Sequence, residues 1–231
     1  LAVSGVNTSL DTARQVITDA LFEIGVVGAG QDPDPNDMEV GRRRLNWMLK
    51  NWQNDGLNLW RDDEITIPWP AYTVEGDLDQ QYLDLTSVRV EGQGGFERPL
   101  NRMEADDYAN YPLKLQTGAT PFQYVVERNT SVLTLKLWPV PDVDVTLYAS
   151  GNRVIYDVVG LDENIDVPQQ YTRTAMLCLA EALVPVFGKA SDPNAALTVA
   201  EARKAYARML ADDRPASYFM GPDRSEYARG W

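Results

Sequence analysis

The spacing of apolar positions along the chain changes twice, and each change marks a different kind of structure. In the opening stretch "NTSLDTARQVITDALFEIGVVGAG", Ala13, Val16, Ile17, Ala20, Leu21 and Ile24 recur at the i, i+3, i+4, i+7 spacing of one helical face. Thr8 and Asp11 stand ahead of that face at capping-box spacing, and Gly25 supplies its stop. "GVVGAGQDPDPND" then reads as loop. Pro35 suits the first turn of a second helix, with Asp34 as its cap and Asp37 near the positive end of its dipole. Met38, Gly41, Leu45, Met48, Leu49 and Trp52 form its apolar stripe. Trp47 falls about 200° round from Leu45, off the stripe, so this helix is expected to meet apolar partners on two sides. Gly56, after "ND", ends it.

From Trp60 to about residue 159 the period shortens to two. "DEITIPW", "YLDLTSVRVEG", "FQYVVERN", "SVLTLKLWPVP" and "DVTLYASGNRVIYDV" are short, rich in β-branched residues and punctuated by Pro, Gly and Asn. Leu133, Leu135 and Leu137 point to one face of a strand, Thr134, Lys136 and Trp138 to the other. "NRMEADDYANYP" reads as a short helix between strands. The expectation is antiparallel sheet, arranged as a small sandwich or open barrel.

The helical period returns in "DVPQQYTRTAMLCLAEALVPVFG". Met176, Leu179, Ala180, Leu183 and Phe187 share a face that Leu177 and Val184 broaden, and Pro185 bends its end. A last helix is capped by Asp192 with Pro193 in its first turn, and its stripe is Val199, Ala202, Tyr206 and Met209. Helices at both ends bury their stripes most economically against each other. The expected fold class is therefore α+β: a bundle of N- and C-terminal helices, an inserted antiparallel β-rich domain and an extended C-terminal tail. The expected divisions are 1–59, 60–160, 161–213 and 214–231. Pro215, Gly221, Pro222 and Gly230 forbid a long helix in the tail, which nonetheless carries Tyr218, Phe219, Met220, Tyr227 and Trp231. Fully extended it reaches ~60 Å, and it reads as a segment that docks on a partner.

Composition narrows the functional classes. The chain is 44% apolar, enough to bury a core. Its longest apolar runs, such as "ALVPVF", fall far short of the ~20 residues a membrane span needs, so no membrane association is expected. The start "LAVSGVNTSL" shows no secretory signal. A formal charge of -13 repels phosphate, which argues against a DNA-reading module but not against a surface that DNA slides past. With no histidine and one cysteine, neither a Ser–His or Cys–His nucleophile pair nor a zinc site is available. Cys178 reads as a small buried apolar residue. No catalytic residue, cofactor or metal is expected. Asp62, Asp63 and Glu64, Asp106 and Asp107, or Asp162 and Glu163 are the only carboxylate groupings that suggest a glycosidase pair, and solvated loop ends produce the same pattern. "DPDPND" lacks the glycine and terminal glutamate of a calcium loop and is better read as helix capping. Arg42, Arg43 and Arg44 are read as the solvent face of the second helix.

The amphipathic first helix, the acidic Pro-containing loop and then L-x-x-M-L-x-x-W-x-x-D-G (Leu45, Met48, Leu49, Trp52, Asp55, Gly56) resemble the tail accessory factors of short-tailed bacteriophages, the head-to-tail adaptors or packaged-DNA stabilisation proteins. The likeness covers about the first 60 residues; the later helix pair and tail agree in layout only. It implies a virion structural protein, not an enzyme. Subunits of this kind form a ring, commonly of twelve, below the portal protein, extending the DNA channel and carrying the next tail component, a nozzle or tail fibre protein. DNA passes without sequence-specific binding. The implied location is the head–tail junction of the virion, and the host cytoplasm during assembly. In the resembled family the helical part packs between neighbours and the C-terminal segment grips the portal. On that basis Leu45, Trp47, Met48, Leu49 and Trp52 are expected at the helical core or subunit interface, and the tail aromatics at the portal. The simplest members are mostly helical, so the β-rich insertion is a departure. Two other classes stand beside this one: a carboxylate-dependent peptidoglycan hydrolase of the virion, and a monomeric assembly chaperone.

Overall fold

A computed structural model describes residues 11–28, 30–57, 61–78, 82–92, 95–118, 120–129 and 132–213 of the 231-residue chain. It is an α+β fold in which N- and C-terminal helices flank a β-rich centre. Among the described residues the order is α1 (Ala13–Glu23), α2 (Pro35–Asn54), β1 (Asp62–Trp69), β2 (Glu75–Leu78), β3 (Tyr82–Glu91), β4 (Glu97–Pro99), β5 (Asn101–Met103), α3 (Ala105–Ala109), β6 (Thr117–Gly118), β7 (Gln123–Arg128), β8 (Leu133–Trp138), β9 (Val140–Pro141), β10 (Val145–Arg153), α4 (Thr172–Leu183) and α5 (Pro193–Asp212). The tail, 214–231, lies outside the described residues, and with it the expected extended conformation.

The helices begin and end where local chemistry dictates. Asp34 accepts from Asn36 N at 2.8 Å and Asp192 from Asn194 N at 2.9 Å, each ahead of a proline at the first turn. The first cap differs from expectation. It is Thr12, whose hydroxyl accepts from Gln15 N at 3.4 Å while Gln15 Oε1 accepts from Thr12 N at 2.9 Å. Thr12 also bridges to Asn164, and Ala13 N and Arg14 N donate to Glu163 O and Leu161 O, so long-range pairing fixes where α1 starts. After α2, Gly56 turns the chain at φ +85°, a conformation that costs little only without a Cβ.

One core joins α1, α2, α4 and α5. Val16, Ile17, Ala20 and Leu21 of α1 meet Leu45, Leu49 and Trp52 of α2, together with Leu179, Ala180 and Leu183 of α4 and Ala202 and Met209 of α5. α1 and α2 approach so closely that a Cβ on Gly41 would sit 2.4 Å from Ile17 Cγ2. α4 packs on α1, α2 and α5. It is therefore buried on several sides, and Thr172, Ala175 and Cys178 are enclosed as well as the expected face.

The β-rich centre has a second core. β1-β10-β3-β4 form one sheet and β2-β8-β7-β5 the other. Their inner faces pack as a sandwich, with Trp69, Leu85, Val88, Val90 and Leu147 against Tyr124, Leu133, Leu135 and Leu137. The strand pairing departs from the expected antiparallel pattern in two places, since β5 pairs with β7 and β6 with β9 in parallel. The stretch expected to be a short helix divides into β5 and α3. α3 covers the outer face of β7–β8, where Met103, Tyr108 and Val125 pack with Tyr111 and Trp138. That accounts for an aromatic on the face opposite the leucines.

Candidate functional site

The α2 pattern that suggested a function proves to be mostly architecture. Leu45, Met48, Leu49 and Trp52 are buried in the helical core. Trp47 is 58% exposed, with the Arg44 guanidinium over its ring at 4.9 Å. The five residues expected together as core or interface thus separate into four core residues and one surface aromatic. The last two motif positions also have fold roles. Trp52 stacks on Tyr206 of α5 with ring centroids 5.9 Å apart, and the Tyr206 hydroxyl donates to Asp55 Oδ2 at 2.5 Å. Burial first, and then the Asp55 carboxylate, raise the Tyr206 phenol above its ordinary range. Gly56 then releases the chain from α2.

The polar face of α2 carries a device that sequence reading missed. Arg42, Asn46, Lys50 and Gln53, spaced four, four and three residues apart, hold the backbone of 155–158 as the chain leaves β10. Asn46 both accepts from Val158 N at 2.9 Å and donates to Val158 O at 3.0 Å, as a neighbouring strand would. Arg42 donates to the same carbonyl at 3.1 Å while pairing with Glu39. Lys50 donates to Ile155 O at 2.7 Å and pairs with Asp157, and Gln53 Oε1 accepts from Ile155 N at 3.0 Å. Arg42 is therefore no solvent-facing residue. Arg43 and Arg44 form no ion pair among the described residues, and Arg43 is exposed. The only trace of this device in the sequence is a polar stripe at helical spacing, which a solvated face shares.

Beside that strap the chain crosses between its two cores in both directions. Arg61, 2% exposed, ties the crossings together. It donates to Leu57 O at 2.7 Å and Gln53 O at 3.4 Å, at the negative end of α2, and to Arg153 O at 2.8 Å. Its own carbonyl accepts from Arg153 N at 2.9 Å. Burial lowers its pKa, and the Asp213 carboxylate at the end of α5 opposes that loss. Arg153 in turn clamps Asp166 with bonds of 2.6 and 2.8 Å. Burial raises the Asp166 carboxyl, but the Arg153 guanidinium and the Tyr156 N–H outweigh it and hold the pKa below the usual carboxylate range.

The carboxylate groupings serve turns, caps and ion pairs. Glu64 pairs with Arg89 at 2.5 Å, and Asp63 accepts from the Tyr82 hydroxyl at 3.3 Å. Asp106 and Asp107 are exposed in the first turn of α3. Asp162 pairs with Arg14 at 2.8 Å, while Glu163 Oε2 accepts from Val159 N and Gly160 N. Among the described residues no group of three or more Cys, Asp or Glu is placed to hold a metal ion. Cys178 is buried, and desolvation pushes its thiol up to about 12. Tyr218, Phe219, Met220, Tyr227 and Trp231, the expected docking residues, lie outside the described residues. Further exposed apolar side chains, Phe96, Leu113 and Leu115, lie on turns and loops of the sandwich.

Comparison with known proteins yields no relative: no protein-family model matches the chain, and no curated protein matches it.

Proposed function

We propose that the chain is a virion structural protein of the head-to-tail adaptor type. In this reading it forms a ring of subunits, commonly twelve, below the portal, extends the DNA channel and presents the attachment site for the next tail component. Residues 1–59 and 161–213 make the helical unit, 60–160 the inserted β-rich unit, and 214–231 an extended arm that grips the portal. The chain acts by assembly, without catalysis or cofactor.

The observation that carries the reading is the L-x-x-M-L-x-x-W-x-x-D-G run of α2. Five of its six positions have a part in joining α2 to the other helices: Leu45, Met48, Leu49 and Trp52 by burial, and Asp55 by the Tyr206 hydroxyl bond, while Gly56 turns the chain out of α2. Support also comes from the exposed Trp47 with Arg44, the five apolar or aromatic anchors of the arm, and the charge of -13, which suits a lumen that duplex DNA slides through. Modest contacts per subunit become firm attachment when a ring multiplies them.

The test is to mix the purified chain with DNA-filled, portal-bearing heads that lack it and to count copies per head by mass. The reading predicts a closed ring on each portal. A chain that stays monomeric and never associates with such heads refutes it.

A further inference from the structure

One flank of α5 is both apolar and charged, and its charge changes sign along the helix. Leu197, Glu201, Lys204 and Arg208 fall within about 60° of one another on a helical wheel, away from Ala195, Ala202 and Met209, which face the core. Two grooves open along this flank. The first lies between the start of α5 and the end of α1. Leu197, 67% exposed, and Phe22, 50% exposed, project there beside Glu23, Asp192 and Glu201. The second lies between the far half of α5 and the start of α4. Leu177, Ala205 and Met209 form its floor, and Arg173, Lys204 and Arg208 rim it together with Glu201 and Asp212. Lys204 and Arg208 pair with no carboxylate among the described residues, and Arg173 reaches only Glu201, at 3.7 Å. One end of the flank therefore carries apolar knobs among carboxylates. The other carries an apolar hollow where three cations outnumber two carboxylates.

We infer that this flank is the surface on which a second copy of the chain docks, antiparallel and about a two-fold axis near Glu201. Leu197 lies four residues before Glu201 and Ala205 four residues after it, about 6 Å along the axis in each direction. An antiparallel partner thus brings each Leu197 over the other copy's hollow. The same rotation sets Glu23 and Asp192 of each copy toward Lys204 and Arg208 of the other. A parallel partner would oppose like charges at both ends, whereas the antiparallel one brings like charges together only at the axis, where each Glu201 lies beside its own Arg173. The contact is isologous and closes at two copies, so it is separate from any ring contact and does not rest on the proposed function.

Sedimentation velocity of the full chain over the micromolar range tests this. The expected species has twice the 25.8 kDa chain mass, and raised salt weakens it. Leu197→Asp is expected to weaken association roughly tenfold or more, as loss of a central anchor does. Charge reversal tests the symmetry. Lys204→Glu with Arg208→Glu makes both ends acidic, and Glu23→Lys with Glu201→Lys makes both ends basic. Each double variant alone is expected to be a monomer with an unchanged circular dichroism melt. Their mixture is expected to recover a dimer, because one contact keeps its native charges and the other has them exchanged. A monomeric wild type, variants that dimerise unchanged, or folded variants whose mixture stays monomeric each overturn the inference.

Discussion

Replacing Arg61 is expected to do more than lower stability: it should uncouple the two cores. The guanidinium makes short bonds to Leu57 O and Arg153 O, at 2.7 and 2.8 Å, and a longer one to Gln53 O. A hydrogen bond from a charged donor contributes about 1.5–3 kcal/mol, and alanine leaves buried carbonyls without a partner. Against this, the variant no longer buries a cation, which recovers part of the loss. Balancing two good bonds against that relief gives roughly 3 kcal/mol for Arg61→Ala. With a urea m-value near the upper end for single domains, the midpoint falls by roughly 1 M. Arg61→Lys keeps the charge, but a single ammonium cannot span both crossings, so an intermediate loss is expected. The diagnostic readout is cooperativity. Circular dichroism at the helical band and tryptophan fluorescence should report one transition in the wild type and separated transitions in Arg61→Ala. Coincident transitions and a loss below about 0.5 kcal/mol, the level of an ordinary surface change, would show that the crossings are held by apolar packing alone and refute the reasoning.

Trp52→Ala should cost about 3–5 kcal/mol, as truncation of a buried aromatic does, whereas Trp47→Ala should stay within about 0.5 kcal/mol; chemical denaturation of both variants checks the division of α2. For Tyr206 the phenol pKa is raised on folding, so its contribution is fully present below the unfolded value near 10 and is lost as pH rises through the folded one. Stability measured above about pH 10 should therefore fall less steeply in Tyr206→Phe than in the wild type, and equal slopes would contradict a phenol that is buried and bonded to Asp55. In a salt titration the chain should bind duplex DNA weakly at moderate ionic strength, and tight binding that weakens steeply with salt would point to a basic lining.

How much of this was legible in the sequence depended on whether a feature was local. Asp34 with Pro35 and Asp192 with Pro193 mark helix starts through bonds made within two residues, and both were readable. The stripe from Met38 to Trp52 was equally plain, and so was the exclusion of Trp47 from it. Thr12 was missed because two capping-box spacings, 8–11 and 12–15, follow one another there, and the deciding bonds come from Leu161 and Glu163, about 150 residues away. The stripe on α4 was read too narrowly. A stripe assumes one buried side, and α4 has three helical neighbours. β4, β5, β6 and β9 are two or three residues long, too short for an alternation to show, and the parallel pairings are set by the partners rather than by the strands themselves. The strap of Arg42, Asn46, Lys50 and Gln53 bonds mainly to backbone, and Asp157, which pairs with Lys50, is the one complementary side chain in 155–158, too little to announce it. Arg61 precedes its strand without any pattern at all, yet it is among the most buried charged groups described.

The central claim is attachment to the portal through the arm, and one co-sedimentation measurement addresses it directly. Full-length chain and a truncation ending at residue 213 are each spun with DNA-filled, portal-bearing heads, with circular dichroism confirming that the truncation is folded. The helical stripes end before Arg214, so the fold should survive the deletion. If the proposal holds, each arm aromatic buried at the portal would contribute on the order of 1.5–3 kcal/mol, less the cost of ordering the arm, and a ring would multiply the remainder. The account predicts that the full chain pellets with the heads in ring stoichiometry while the folded truncation stays in the supernatant. A folded truncation that pellets as the full chain does, or a full chain that never pellets, would contradict it.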